Sequence, residues 1–117
     1  MSIRRLRTEA RYSEIVVHGG TVYLAGQLAD DYGVGIEEQT RQTLAGIDRL
    51  LAEAGTDKSR LLSVTIYLKD MVADYAGLNA VWDAWLPAGC APARACVEAG
   101  LYDGDARVEM SVVAALP

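Results

Sequence analysis

From Leu62 to Lys69 the side chains alternate without a break, with Leu62, Val64, Ile66 and Leu68 on one side and Ser63, Thr65, Tyr67 and Lys69 on the other. Period two belongs to a strand, so this run is a strand with one apolar face. The segments on either side have the three- and four-residue spacing of helices, and that face is expected to lie on them.

Upstream, Leu44, Ile47, Leu51 and Ala54 form one stripe of a helix spanning Ile36 to Ala54, with Gln39, Gln42, Asp48 and Arg49 on the remaining faces. Gly55 supplies the C-cap and Thr56-Asp57 turns the chain. Downstream, a second helix runs from about Val72 to Leu86, with Tyr75, Leu78, Trp82 and Trp85 as its buried stripe and Pro87 ending it. At this spacing Trp82 and Trp85 read as core or interface aromatics.

Ser13 to His18 and Thr21 to Ala25 flank Gly19-Gly20, a pair suited to a type I′ turn. The turn pairs His18 with Thr21 and sets Glu14 opposite Ala25. Ile3 to Thr8 adds a third strand, and Gly26 marks a bulge or a close backbone approach. Near the end, Ala93 to Leu101 and Arg107 to Ala115 read as two strands of a hairpin turning at Asp103-Gly104. The expected architecture is α+β, a mixed sheet with two helices packed on one face. The other face then lacks cover within one chain, and self-association would bury it.

With 117 residues, one domain over 1–117 is expected. Hydrophobic residues make up 51% and charged residues 23%, enough apolar material for a core and too little charge for a disordered chain. The 11 Lys+Arg against 16 Asp+Glu give a charge of -5, which disfavours nucleic acid and anionic lipid as partners. Arg4, Arg5, Arg7 and Arg11 cluster, but Glu9 and Glu14 dilute them, and a solvated edge strand is the expected reading. Two cysteines, Cys90 and Cys96, and one histidine, His18, are too few for a disulfide framework or a structural zinc site. Apolar runs fall short of the roughly 20 residues that span a bilayer, and no export segment is evident. A cytoplasmic protein with reduced thiols, no metal and no membrane partner is expected.

Alternation places Arg94, Cys96 and Glu98 on one face of their strand. A turn at Asp103-Gly104 would pair Cys96 or Glu98 with Glu109, and Glu109 and Ser111 would then face the same way as Arg94. An Arg fork holds a carboxylate through two parallel hydrogen bonds, and a nearby carboxylate can position or deprotonate a water. A structural ion pair between Arg94 and Glu98 or Glu109 satisfies the same pattern. Cys96 has no histidine partner, since His18 sits on a distant turn, so a lining role is expected rather than a nucleophilic one.

The collinear series Tyr23-Leu24-Ala25-Gly26-Gln27, Gln39-Thr40, Thr65-Ile66-Tyr67-Leu68-Lys69-Asp70, Asn79, Pro92-Ala93-Arg94-Ala95-Cys96-Val97 and Val108-Glu109-Met110 resembles the RidA/YjgF family over nearly the whole chain. Ala80 to Trp85 and the compact length resemble its YoaB-like branch. The resemblance implies a chorismate-mutase-like fold, assembled as a homotrimer with a central barrel and three clefts between subunits. It implies hydrolysis of reactive enamines or imines, such as 2-aminoacrylate, to a 2-oxo acid and ammonia, without a cofactor. Arg94 matches the family's carboxylate-binding Arg, Glu109 the acid that holds the attacking water, and Cys96 a pocket-lining residue. Tyr12 matches the Tyr at the cleft mouth and Asn79 the Asn on the second helix; Asn79 also suits a loop-backbone hydrogen bond. Ala25 and Gly26 fall in the substrate-binding stretch, where Ala25 replaces the family's common Ser and removes a hydroxyl. The rival function is a trimer that binds a 2-oxo acid without turning it over. RNA cleavage, also linked to the family, sits poorly with the acidic charge and the missing basic stripe.

Overall fold

The computed structural model describes residues 1–117. At Gly19 and Gly20 the backbone takes φ of +59° and +81°, as a type I′ turn demands, and joins β2 (Ser13–His18) to β3 (Thr21–Gln27) with His18 opposite Thr21 and Ile15 opposite Leu24. β1 (Arg4–Thr8) pairs with the outer side of β2 and forms the edge of the sheet, with Arg4 and Arg5 exposed.

α1 (Ile36–Ala54) ends at Gly55 with φ of 93°, where the Gly55 and Thr56 N–H groups donate to Ala52 and Leu51. A single 3₁₀ turn, Lys58–Arg60, leads into β4 (Leu61–Leu68). Asp70 caps α2 (Met71–Trp85), its carboxylate accepting the Ala73 N–H at 3.0 Å. β5 (Ala93–Glu98) and β6 (Val108–Ala115) complete one six-stranded sheet in the order β1-β2-β3-β6-β4-β5. Both helices pack on one face. Between them and the sheet lies a single core that includes Ile15, Leu24, Leu44, Ile47, Leu51, Ile66, Leu78, Trp82, Met110 and Val112.

Three expectations change. β5 and β6 are not a hairpin, because β6 runs between β3 and β4, antiparallel to both, while β5 lies parallel to β4 at the far edge. Val108, Met110, Val112 and Ala114 are all buried, which a central position satisfies, whereas β5 carries Arg94 and Glu98 and tolerates an edge. The parallel β4–β5 pair requires a crossover, and α2 supplies it. Neither Cys96 nor Glu98 meets Glu109, which stands opposite Tyr67.

The apolar face of β4 begins at Leu61, not Leu62. A register shift between Leu61 and Ser63 buries Leu61 and leaves Leu62 exposed. On α2 the buried positions are Asp74, Leu78, Val81 and Trp82, and Tyr75 is 43% exposed. Asp74 is tolerated inside because Arg107 Nη1 lies 3.1 Å from both of its oxygens.

Candidate functional site

Arg94 stands opposite Val64 in the parallel register, on the helix side of the sheet. From this edge it reaches α2, where Nη1 donates to Asn79 Oδ1 at 2.9 Å and Nη2 donates to the Tyr75 hydroxyl at 3.4 Å. The guanidinium carbon sits 5.4 Å from the centre of the Trp82 ring, a cation–π distance. Tyr75, Asn79 and Trp82 follow one another at helical steps, so one face of α2 cradles the guanidinium. Every contact is neutral. Arg94 takes part in none of the ion pairs, and Glu98 instead accepts the Met71 N–H at 3.0 Å. The structural ion pair is thus set aside, leaving a positioned cation without a counter-charge. Asn79 serves this cation rather than a loop backbone.

Cys96 lies on the same face, opposite Ile66 and half-buried. Burial pushes its thiol up, and the Arg94 charge only partly offsets this. A neutral thiol fits a lining residue.

Glu109 belongs to a different surface. It stands opposite Tyr67 on the face turned away from the helices, in a depression of about 360 Å³ lined also by Gly26, Ala99, Gly100, Leu101 and Ser111. Its carboxylate makes neither an ion pair nor a side-chain hydrogen bond with the protein. The β3–β6 register shifts between Leu24 and Gln27, so Ala25 and Gly26 form the anticipated bulge. The bulge brings Gly26 against the Glu109 carboxylate with no side chain between them. Ala25 is half-buried, and its carbonyl accepts from Gln27 Nε2 at 3.0 Å.

The expected meeting of Arg94 and Glu109 on adjacent strands does not occur. β4 separates their strands, and Tyr67 links the two registers, opposite Glu109 on one side and Val97 on the other. Two strand spacings and three residues of rise put their Cα atoms roughly 14 Å apart. Their side chains also leave opposite faces of the sheet. Tyr12 is farther still, 53% exposed in the turn between β1 and β2 at the other edge. The chain therefore carries two half-sites. One joins Arg94, Asn79 and Cys96, and the other joins Glu109, Gly26 and Ala25.

The loop after β3 and the segment leading into β6 are fastened together by Gln39, a fully buried side chain of α1. Its Nε2 donates to the carbonyls of Tyr32, Val34 and Asp105 at 3.3, 3.0 and 3.0 Å, and its Oε1 accepts the Arg107 N–H at 2.9 Å. Sequence reasoning placed Gln39 on a polar face and read Tyr75 and Trp82 as core. Their helical phase with Asn79 was visible, but their partner was not, because it arrives on a parallel strand. No cluster of three or more His, Cys, Asp or Glu side chains gathers to hold a metal, and no helix is long and apolar enough to cross a membrane.

The family profile described as Endoribonuclease L-PSP matches residues 2–116. RutC family protein YoaB of Escherichia coli (strain K12) is 43% identical over 116 residues, covering 99% of this chain and 100% of that protein. The chain belongs to the YjgF/RidA family. Two solved structures extend this YjgF likeness to three dimensions. A Pseudomonas aeruginosa protein described as uncharacterized superposes with a TM-score of 0.96 at 52% identity, covering 99% of this chain and 100% of that one. NMB1025 of Neisseria meningitidis, described as a member of the YjgF protein family, gives 0.96 at 49% identity, covering 100% and 97%. Membership supports a role in handling reactive intermediates.

Proposed function

We propose that this protein hydrolyses enamines and imines of the 2-aminoacrylate class to 2-oxo acids and ammonia, without a cofactor, in clefts between the subunits of a homotrimer built around a central barrel. The observation that carries the reading is the unpaired Arg94 guanidinium, held by Asn79, Tyr75 and Trp82 and free to receive a substrate carboxylate. An enamine first tautomerises to its imine. Water then adds to the imine carbon, the carbon–nitrogen bond of the resulting carbinolamine breaks, and ammonia leaves as the carbonyl forms. Glu109 orients that water and takes up a proton. The imine is already electrophilic, so orientation supplies much of the rate.

The geometry of the half-sites supports a site built from more than one chain, as a trimer would provide. Arg94 and Glu109 leave opposite faces of one sheet, so a single small substrate meets both only when two chains contribute. Self-association would also cover the sheet face away from the helices, where Tyr23 and Val97 are exposed. Tyr12, remote from Arg94 within its own chain, then becomes a cleft-mouth residue of a neighbour. Glu109 also favours turnover over mere binding of a 2-oxo acid, because a carboxylate beside an anionic ligand weakens its binding. Without the family's Ser, Ala25 offers the water no hydroxyl, and Glu109 orients it.

The test is a panel of imines generated in situ by an amino-acid oxidase, scored for accelerated ammonia release. Arg94→Ala is expected to abolish the acceleration while leaving the oligomer intact. Glu109→Gln is expected to impair turnover and to spare or tighten 2-oxo acid binding. Undiminished hydrolysis by Arg94→Ala would remove the carboxylate clamp, and equal loss of turnover and binding in Glu109→Gln would favour a binding protein.

A further inference from the structure

The rim of the Glu109 depression is formed by Gly100 and Leu101, in the segment that leaves β5 and crosses toward β6. Its two ends are fixed. At one end the Ala99 N–H donates to Leu68 at 3.0 Å. At the other, Asp103 accepts the N–H groups of Asp105 and Ala106, and Gln39 holds Asp105 and Arg107. Between these anchors, Gly100, Leu101 and Tyr102 make no backbone hydrogen bond within the protein.

One side-chain contact ties this stretch down. The hydroxyls of Tyr102 and Tyr32 lie 2.9 Å apart, and the rings meet edge to face with centroids separated by 6.2 Å. Tyr102 is 79% exposed, so packing holds it weakly and the hydroxyl bond decides its place. Tyr32 is the firmer partner, since its ring is half-buried and its carbonyl is gripped by Gln39. Burial and the bond to Tyr102 push the Tyr32 phenol well above its ordinary range, which keeps it neutral across physiological pH.

We propose that the Tyr32–Tyr102 pair is a latch that fixes the Gly100–Leu101 rim over the Glu109 depression and so sets how large a substrate side chain the site admits. With the latch closed, Leu101 stays beside Glu109 and the depression suits small imines. With it open, only the end anchors restrain the rim, and a bulkier side chain gains room. The size filter rests on the hydrolytic reading above; the latch itself does not. Both tyrosines are positioning residues, acting through Leu101 rather than on the reacting atoms.

Tyr102→Phe, Tyr32→Phe and the double variant remove the hydroxyl bond while keeping the ring contact. Hydrogen exchange at the hydrogen-bonded amides that end the stretch, Ala99 and Asp105, is expected to quicken about threefold to tenfold in each single variant, and no further in the double. The ratio of kcat/KM for the leucine-derived imine to that for the alanine-derived imine is expected to rise by a similar factor. Unchanged exchange overturns the latch, and quickened exchange with an unchanged ratio overturns the size filter. Should the wild type hydrolyse no imine, the hydrolytic reading fails, and the ratio is taken instead from dissociation constants of the corresponding 2-oxo acids. A change in that ratio sustains the filter, and no change, or no binding, overturns it.

Discussion

The carboxylate of Glu109 occupies the space that a side chain on Gly26 would fill. A Cβ at Gly26 would fall within contact distance of Glu109 Oε2 and 3.1 Å from its Cδ. Gly26 has no positive φ, so the backbone does not demand glycine there; the neighbouring acid does.

Gly26→Ala should therefore act on Glu109 rather than on the fold. The carboxylate must swing away, and a displacement of about 1 Å at a water-orienting group costs up to ~100-fold in rate. Turnover of a small imine is expected to fall by that order while the thermal midpoint moves by only a few degrees. A large loss of stability with turnover retained per folded molecule would contradict this.

Gln39→Leu should do the opposite. It strands three carbonyls and one N–H that now share a single buried amide, at a cost of about 2–4 kcal/mol. Urea unfolding should show the loss as a lower midpoint with little change in slope.

The Cys96 thiol is held up by burial, with Arg94 pulling the other way. In a Cys90→Ser background, alkylation by iodoacetamide is expected to rise with a midpoint above the ordinary thiol value of about 8.5. Arg94→Ala removes the lowering charge and should move the midpoint higher still. Rapid alkylation at neutral pH would instead point to a reactive nucleophile.

Mixing chains tests the composite cleft directly. Arg94→Ala and Glu109→Gln proteins should each be inactive alone. Unfolded together and refolded, they are expected to regain about a quarter of wild-type turnover, because clefts then form that draw an intact Arg94 and an intact Glu109 from different chains. Activity that stays absent in the mixture, with mixed oligomers confirmed by mass, would return both residues to one chain.

Much of the fold was legible in local chemistry. Gly19-Gly20 dictated a turn, Gly55 a helix end, and the spacing of Leu44, Ile47 and Leu51 a buried stripe. The partner of β5 was not legible. Asp103-Gly104 is a sound turn dipeptide, yet the burial of Val108, Met110 and Val112 draws β6 into the middle of the sheet, a tertiary effect that no local signal records. For the same reason Arg94 and Glu109 could be singled out by residue type while their relation could not. Alternation fixes the face of a residue within its own strand, and only the strand order says how two strands compare. Leu62 illustrates a smaller limit, since one bulged residue hands the inward position to Leu61.

The sheet has two free borders, and they differ. β1 closes one side with Arg4 and Arg5 exposed, so two such borders meeting would set guanidinium against guanidinium. β5 closes the other, and Ala93, Ala95 and Val97 there oppose little to an approaching chain on the face away from the helices. Two β1 borders thus oppose one another through their charge, whereas β5 presents only small and apolar side chains on the face away from the helices. Strand-by-strand growth that would join two β1 borders is therefore disfavoured.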